Sequence, residues 1–188
     1  MKIYLTDQSK NFPKHLDELK LQPVIQYDIS KLTEKTTIVK IDTDKSFHQL
    51  NTSFFFDYQI FPNNIMAFLT QWNLENRDMQ IGDTIAQQAF IPPVQNFSQK
   101  IIFGVRINNV VNEENRIGFS YETLKGHLEK GISTFTIERV KPNEIIFKIH
   151  TFSKPGTLLT QLGQVLSVPY QTFCTKQALL NVKRQLES

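Results

Sequence analysis

In the second half of the chain, apolar residues recur at every other position through four consecutive stretches. Ile101, Phe103, Val105 and Ile107 share one face of 100–111, and Ile117, Phe119, Tyr121 and Thr123 share one face of 116–124. Phe135 and Ile137 do so in 132–140, and Ile145, Phe147 and Ile149 in 144–152. A period of two predicts strands, each with one dry and one wetter face, as in an antiparallel sheet. The turns between them are predicted at 112–115, 125–131 and 141–143, where Asn, Gly, Pro and charged residues collect. Upstream, 84–91 reads as a strand closed by Pro92 and Pro93, and the Phe54-Phe55-Phe56 run makes 53–58 a buried strand. Ile65, Phe68, Leu69 and Trp72 recur at helical spacing behind Pro62, which predicts a helix over 62–73. The first fifty residues are less patterned: a short strand over 2–5, a helix over 13–21 with Asn11 as its cap, and a β-branched strand over 36–41.

The last stretch changes period. Leu158, Leu159, Leu162, Val165 and Leu166, then Phe173, Leu179, Leu180, Val182 and Leu186, recur every three or four residues. They predict a helix over 156–187, kinked or restarted at Pro169. A long amphipathic helix needs a surface to cover, and the dry face of the sheet supplies one. The fold class is therefore α+β: an antiparallel curved sheet wrapped around a long C-terminal helix. This element order resembles the helix-grip architecture of the START and polyketide-cyclase superfamily. The whole chain, 1–188, is expected to form a single domain, with 1–50 an extension packed on a 51–188 core.

Within 118–135 the residues Gly118, Phe119, Tyr121, Thr123, Leu124, Gly126, His127, Glu129, Gly131 and Phe135 form a spaced pattern. It resembles the signature G-F-x-Y-G-T-L-x-G-H-x-E-x-G-E-x-x-F of a family of bacterial and plant proteins known as a domain of unknown function. The likeness extends over roughly 52–186, where Ala67, Trp72, Arg106, Phe152, Ser153 and Pro155 match its weaker features. Glu122, Lys125, Ile132 and Ser133 depart from the pattern, so the chain resembles a divergent member. The resemblance implies a helix-grip-like fold; it brings no activity, cofactor or catalytic residue with it.

Composition narrows the functional classes. At 40% hydrophobic and 21% charged residues the chain is globular, and its 15 Phe can fill a core or line an apolar cavity. The net charge is +3 with no basic run, so no nucleic-acid footprint is expected. The single cysteine, Cys174, rules out an intramolecular disulfide. No apolar window is long enough to span a bilayer, and the first residues lack the apolar core of a signal peptide, so a cytoplasmic location is expected. No histidine pair or Cys–His cluster has metal-binding spacing, and no phosphate loop or nucleophile elbow occurs; neither metal nor cofactor is expected.

The candidate ligand-binding residues are Phe119, Tyr121, Thr123, His127 and Phe135. Alternation aims the Tyr121 and Thr123 hydroxyls into an apolar layer, where they either bond to protein and water or orient a ligand. His127 either fastens the turn or acts as an acid or base with Glu129 beside it. Arg106 and Glu122 alternate outward, Arg106 in a surface role and the two able to meet as a cross-strand ion pair. His150 also faces outward; Cys174 is expected as a small buried hydrophobe, and Gly104 as a bulge or bend. Three functions follow. The first is a binder of an apolar or lipid-like molecule in a cavity between sheet and helix. The second is a small-molecule enzyme of cyclase, hydrolase or isomerase type using His127 and Tyr121. The third is a protein-interaction module with Phe54-Phe55-Phe56 or 179–186 as its patch. The sequence assigns no catalytic residue, ligand identity or oligomeric state.

Overall fold

In the computed structural model the described residues are 2–92, 98–155 and 167–188. Among them eight strands form one antiparallel sheet. They are β1 (Lys2–Tyr4), β2 (Thr33–Ile41), β3 (Met66–Thr70), β4 (Thr84–Ile91), β5 (Gln99–Glu113), β6 (Arg116–Thr123), β7 (Glu129–Lys141) and β8 (Glu144–Pro155). Along the sheet the order is β2-β8-β7-β6-β5-β4-β3, and β1 pairs with β5 opposite Lys100–Ile102, beyond the point where β6 has ended. Four helices join them: α1 (Phe12–Lys20), α2 (Ser53–Phe56), α3 (Gln71–Leu74) and α4 (Ser167–Glu187). The α+β layout read from the sequence is the observed one.

The concave face of the sheet carries the core. Ile101, Phe103, Val105 and Ile107 of β5, Phe119 and Tyr121 of β6, Phe135 and Ile137 of β7 and Phe147 and Ile149 of β8 all lie in it, as their alternation requires. From α4, Ala178, Leu179, Val182 and Leu186 press onto this face at helical spacing. Polar bonds hold the helix in place. Asn181 donates to the Gln59 and Ile60 carbonyls at 3.0 and 2.9 Å, and the Tyr170 hydroxyl donates to the Phe90 carbonyl at 2.9 Å. Pro169 lies in the first turn of α4, where a missing N–H leaves no helical bond unmade. The apolar positions between Leu158 and Leu166 lie outside the described residues.

Two expectations are overturned. The 53–58 segment is the short helix α2 and the turn after it, not a strand. Asn51 accepts the Ser53 amide at 3.2 Å and the Thr52 carbonyl accepts the Phe55 amide at 3.0 Å, which starts the helix. Phe55, fully buried, then drops into the concave face. The 62–73 segment is β3 followed by α3. Its apolar residues fit either period, and pairing with β4 from Met66↔Ala89 to Thr70↔Ile85 decides for the strand. The Thr70 hydroxyl accepts the Asn73 amide at 3.3 Å and begins α3, which turns Trp72 inward to donate to the Phe56 carbonyl at 3.1 Å.

The convex face is not simply wet. Helix α1 lies over β3, β4 and β5, and Leu19 packs where a Gly104 side chain would stand, a Cβ there coming 3.0 Å from it. Gly104 is thus a site of close approach; the register shifts lie elsewhere, between Ile107 and Asn109 and between Arg139 and Lys141. Gln88, fully buried on this face, accepts the Gln8 amide at 2.8 Å and donates to Asp7 at 2.7 Å. Strand β4 is therefore buried on both faces for nearly its whole length. Strand β2 pairs with β8 from Thr33↔Ser153 to Ile41↔Ile145 and forms one edge of the sheet.

Candidate functional site

Strands β6 and β7 place an aromatic layer on the concave face. Phe119 and Phe135 stack with ring centres 5.5 Å apart, and Tyr121 lies 5.3 Å from Phe135. Phe55 and Tyr58, delivered by α2, close on the layer at 5.2 and 6.1 Å from Phe119. Tyr58 adopts φ 65°, a left-handed conformation that costs a bulky L-residue about 1–2 kcal/mol. That conformation brings its hydroxyl onto Gln87 of β4, whose amide nitrogen donates to it. Tyr121 is the next hydrogen-bonding neighbour of Tyr58, and Ser133 and Gln87 also reach Tyr121. Burial pushes the Tyr121 hydroxyl up to about 12 and the Tyr58 hydroxyl well above its ordinary value; both are neutral donors at physiological pH. The amide oxygen of Gln87 is buried without a hydrogen-bond partner among the described residues.

A second polar group stands where β7 begins. The Glu129 carboxyl is hydrogen-bonded to Ser153 of β8 and Gln171 of α4, yet burial raises its pKa above the usual carboxylate value. Cys174 lies one helical turn beyond Tyr170 and hydrogen-bonds with it. Burial pushes this half-buried thiol up to about 11, which makes it an unreactive packing group.

The other sequence-derived residues have local duties. The Thr123 hydroxyl accepts the Gly131 amide at 3.1 Å and lies 3.4 Å from the Gly131 carbonyl, so backbone satisfies it. His127 Nδ1 lies 3.0 Å from the Glu129 amide, which donates to it, and the ring meets Phe103 edge-on at 4.4 Å. Desolvation there pushes its pKa down to about 4. The Glu129 carboxyl is turned to Gln171, so it does not orient the His127 ring. Phe119, Tyr121 and Phe135 thus share one layer, while Thr123 and His127 fasten the β6–β7 connection.

Arg106 and Glu122 are Cα partners, but their side chains go different ways. Half-buried Arg106 donates to the Lys20 carbonyl at 2.9 Å under α1 and is partly desolvated there, so it anchors α1 rather than pairing with Glu122, which accepts from Tyr27. His150 pairs with Glu34 at 2.9 Å on the outer face. Gln87 and Tyr58 escaped sequence reasoning. The trace they leave is a Gln-Gln pair interrupting the apolar run of β4, one Gln for each buried face.

Two open hollows of about 380 and 360 Å³ are lined by described residues, one beside Trp72 and Arg77, the other between His48 and the β5–β6 turn. Neither lies between the sheet and α4. Among the described residues no three His, Cys, Asp or Glu side chains converge as a metal site, and no helix is long and apolar enough to cross a membrane.

Over residues 42–180 the sequence matches the family described as Domain of unknown function (DUF1990). A UPF0548 protein from Deinococcus radiodurans is 36% identical over 61 residues, which cover 32% of this chain and 31% of that protein. The match therefore spans under a third of that relative's length. A solution structure of a protein from Arthrobacter aurescens is similar at a TM-score of 0.54 with 9% identity, over 86% of this chain and 89% of that one. A crystal structure of a protein from Mycobacterium smegmatis is similar at 0.52 with 12% identity, over 88% and 98%. At such identities the likeness concerns the fold.

Proposed function

The chain belongs to the DUF1990 family, and we propose that it binds an apolar small molecule on the concave face between sheet and α4. The single observation that carries this reading is the Gln87–Tyr58–Tyr121 group. Three polar side chains are buried together in an aromatic layer, one of them held by a strained backbone, and the Gln87 amide oxygen is left without a partner. A buried, unsatisfied acceptor costs roughly 1–3 kcal/mol, and a ligand donor in its place offsets that cost. A mostly apolar wall with a few converging polar groups is the composition of small-molecule sites.

The ligand chemistry follows from the charges. Among the described residues, no Lys or Arg side chain hydrogen-bonds to this polar group, and Glu129 stands nearby. A neutral, largely apolar molecule carrying a hydroxyl or amide N–H suits the site; a free carboxylate would lack a counter-charge. The binding is proposed as non-catalytic because His127, the residue best suited to move a proton, is bound into its turn and has a pKa near 4.

Native mass spectrometry of the freshly purified protein tests this, followed by titration with Nile red, a neutral apolar fluorophore. A co-purified neutral molecule, or saturable dye binding lost in Gln87→Leu with the fold retained by circular dichroism, supports the proposal. Bare protein mass together with no saturable dye binding overturns it.

A further inference from the structure

Among the described residues, the outer edge of β2 is open between Glu34 and Ile38. Odd-numbered residues of β2 direct their main chain toward β8, as the Thr151 hydroxyl on the Lys35 carbonyl shows. Even-numbered positions point the other way: the Lys40 carbonyl accepts from Lys183 at 2.9 Å, and the Asp42 amide donates to Glu187 at 2.6 Å, both outside the ladder. Between Glu34 and Ile38 the outward groups have no such cover among the described residues, and Ile38 is 53% exposed. An uncovered edge of this length is a template for another strand.

The side chains select which strand. When β2 is laid antiparallel on itself about Thr37, Thr36 falls opposite Ile38 and Glu34 opposite Lys40, each pair occurring twice. Thr36 and Ile38, whose outward groups are uncovered, then exchange two main-chain hydrogen bonds in each of their pairs, while Glu34 and Lys40 meet through their side chains because Lys183 already bonds to the Lys40 carbonyl. Centring the pairing at Ile38 would set Glu34 against Asp42, and centring it at Thr36 would leave both charges unmatched. Opposite charges directly across an antiparallel pair stabilise it, and like charges in that place destabilise it. We infer that β2 pairs with β2 of a second copy, antiparallel about Thr37, joining the two sheets across a two-fold axis. The interface is isologous, so it closes after two copies. It does not rest on ligand binding, because the concave site lies on the inner face of each sheet.

Sedimentation equilibrium of the full chain over a concentration series tests it. The wild type is expected to show a monomer–dimer equilibrium. Lys40→Glu and Glu34→Lys each place like charges opposite one another twice, and each is expected to weaken dimerisation on the order of tenfold. The double swap restores the complementarity and is expected to recover the wild-type constant. Thr36→Pro removes an outward N–H without touching the β8 ladder and is expected to abolish the dimer. A wild type that stays monomeric throughout, or a dimer insensitive to both single charge reversals, overturns the inference.

Discussion

At Gly131 the backbone sits at φ 146°, and a Cβ there would run into the Phe152 carbonyl across the β7–β8 ladder. Backbone against backbone has little room to relax, so Gly131→Ala is expected to lose on the order of 3 kcal/mol in urea denaturation. A variant as stable as the parent would mean that the two strands stand further apart at this point. His127 gives a pH signature. Its pKa is depressed from 6.5 to about 4 by desolvation, so between those values the unfolded chain takes up a proton that the folded chain refuses. Stability is therefore complete above about pH 6.5 and is lost as pH falls toward 4, by up to about 3 kcal/mol. Chemical denaturation at several pH values should show this slope in the wild type and a flatter one in His127→Gln. An unchanged slope in the variant would assign the titration to another group. Glu129 leans the opposite way: its raised pKa favours the protonated fold, and that contribution is lost as pH rises through the folded value.

Among the helices, the four-residue α2 carries much for its size. Its four residues send Phe55 into contact with Phe119 and Phe147 and position the turn that holds Tyr58. Phe55→Ala is expected to cost about 3–5 kcal/mol in thermal or urea unfolding, the range for a fully buried ring. A loss below 1 kcal/mol would mean that the aromatic layer collapses to refill the space. This element was also the least legible. The strands from β5 to β8 were readable because each has one face against the core, so burial writes a period of two into the sequence. Phe54-Phe55-Phe56 has no period, and a run of three identical residues fits a buried strand as well as a helix lodged against a sheet. In 62–73 the apolar residues of β3 and the first turn of α3 merge into one helix-like series. The inward aim of Tyr121 followed from alternation. The role of Gln87 did not, because β4 is covered on both sides and alternation vanishes where neither face is wet.

On the scale of the whole molecule the sheet is a partition. Its concave side holds the aromatic layer, the Gln87–Tyr58–Tyr121 group and α4; its convex side holds α1 and the Gln88–Gln8–Asp7 bonds. The proposed ligand site and the proposed dimer edge use different parts of this plan, so one test can fail without the other. Among the described residues, strand β2, at 33–41, finds its only ladder partner in β8, at 144–155. On a ribosome adding roughly 5–20 residues per second, the first of these strands waits about 5–20 s for the second to be made. For that interval neither side of β2 has its partner within the chain. Its self-complementary Glu34 and Lys40 then meet the same strand on neighbouring chains of the same message, and a polysome is where pairing between copies would first begin.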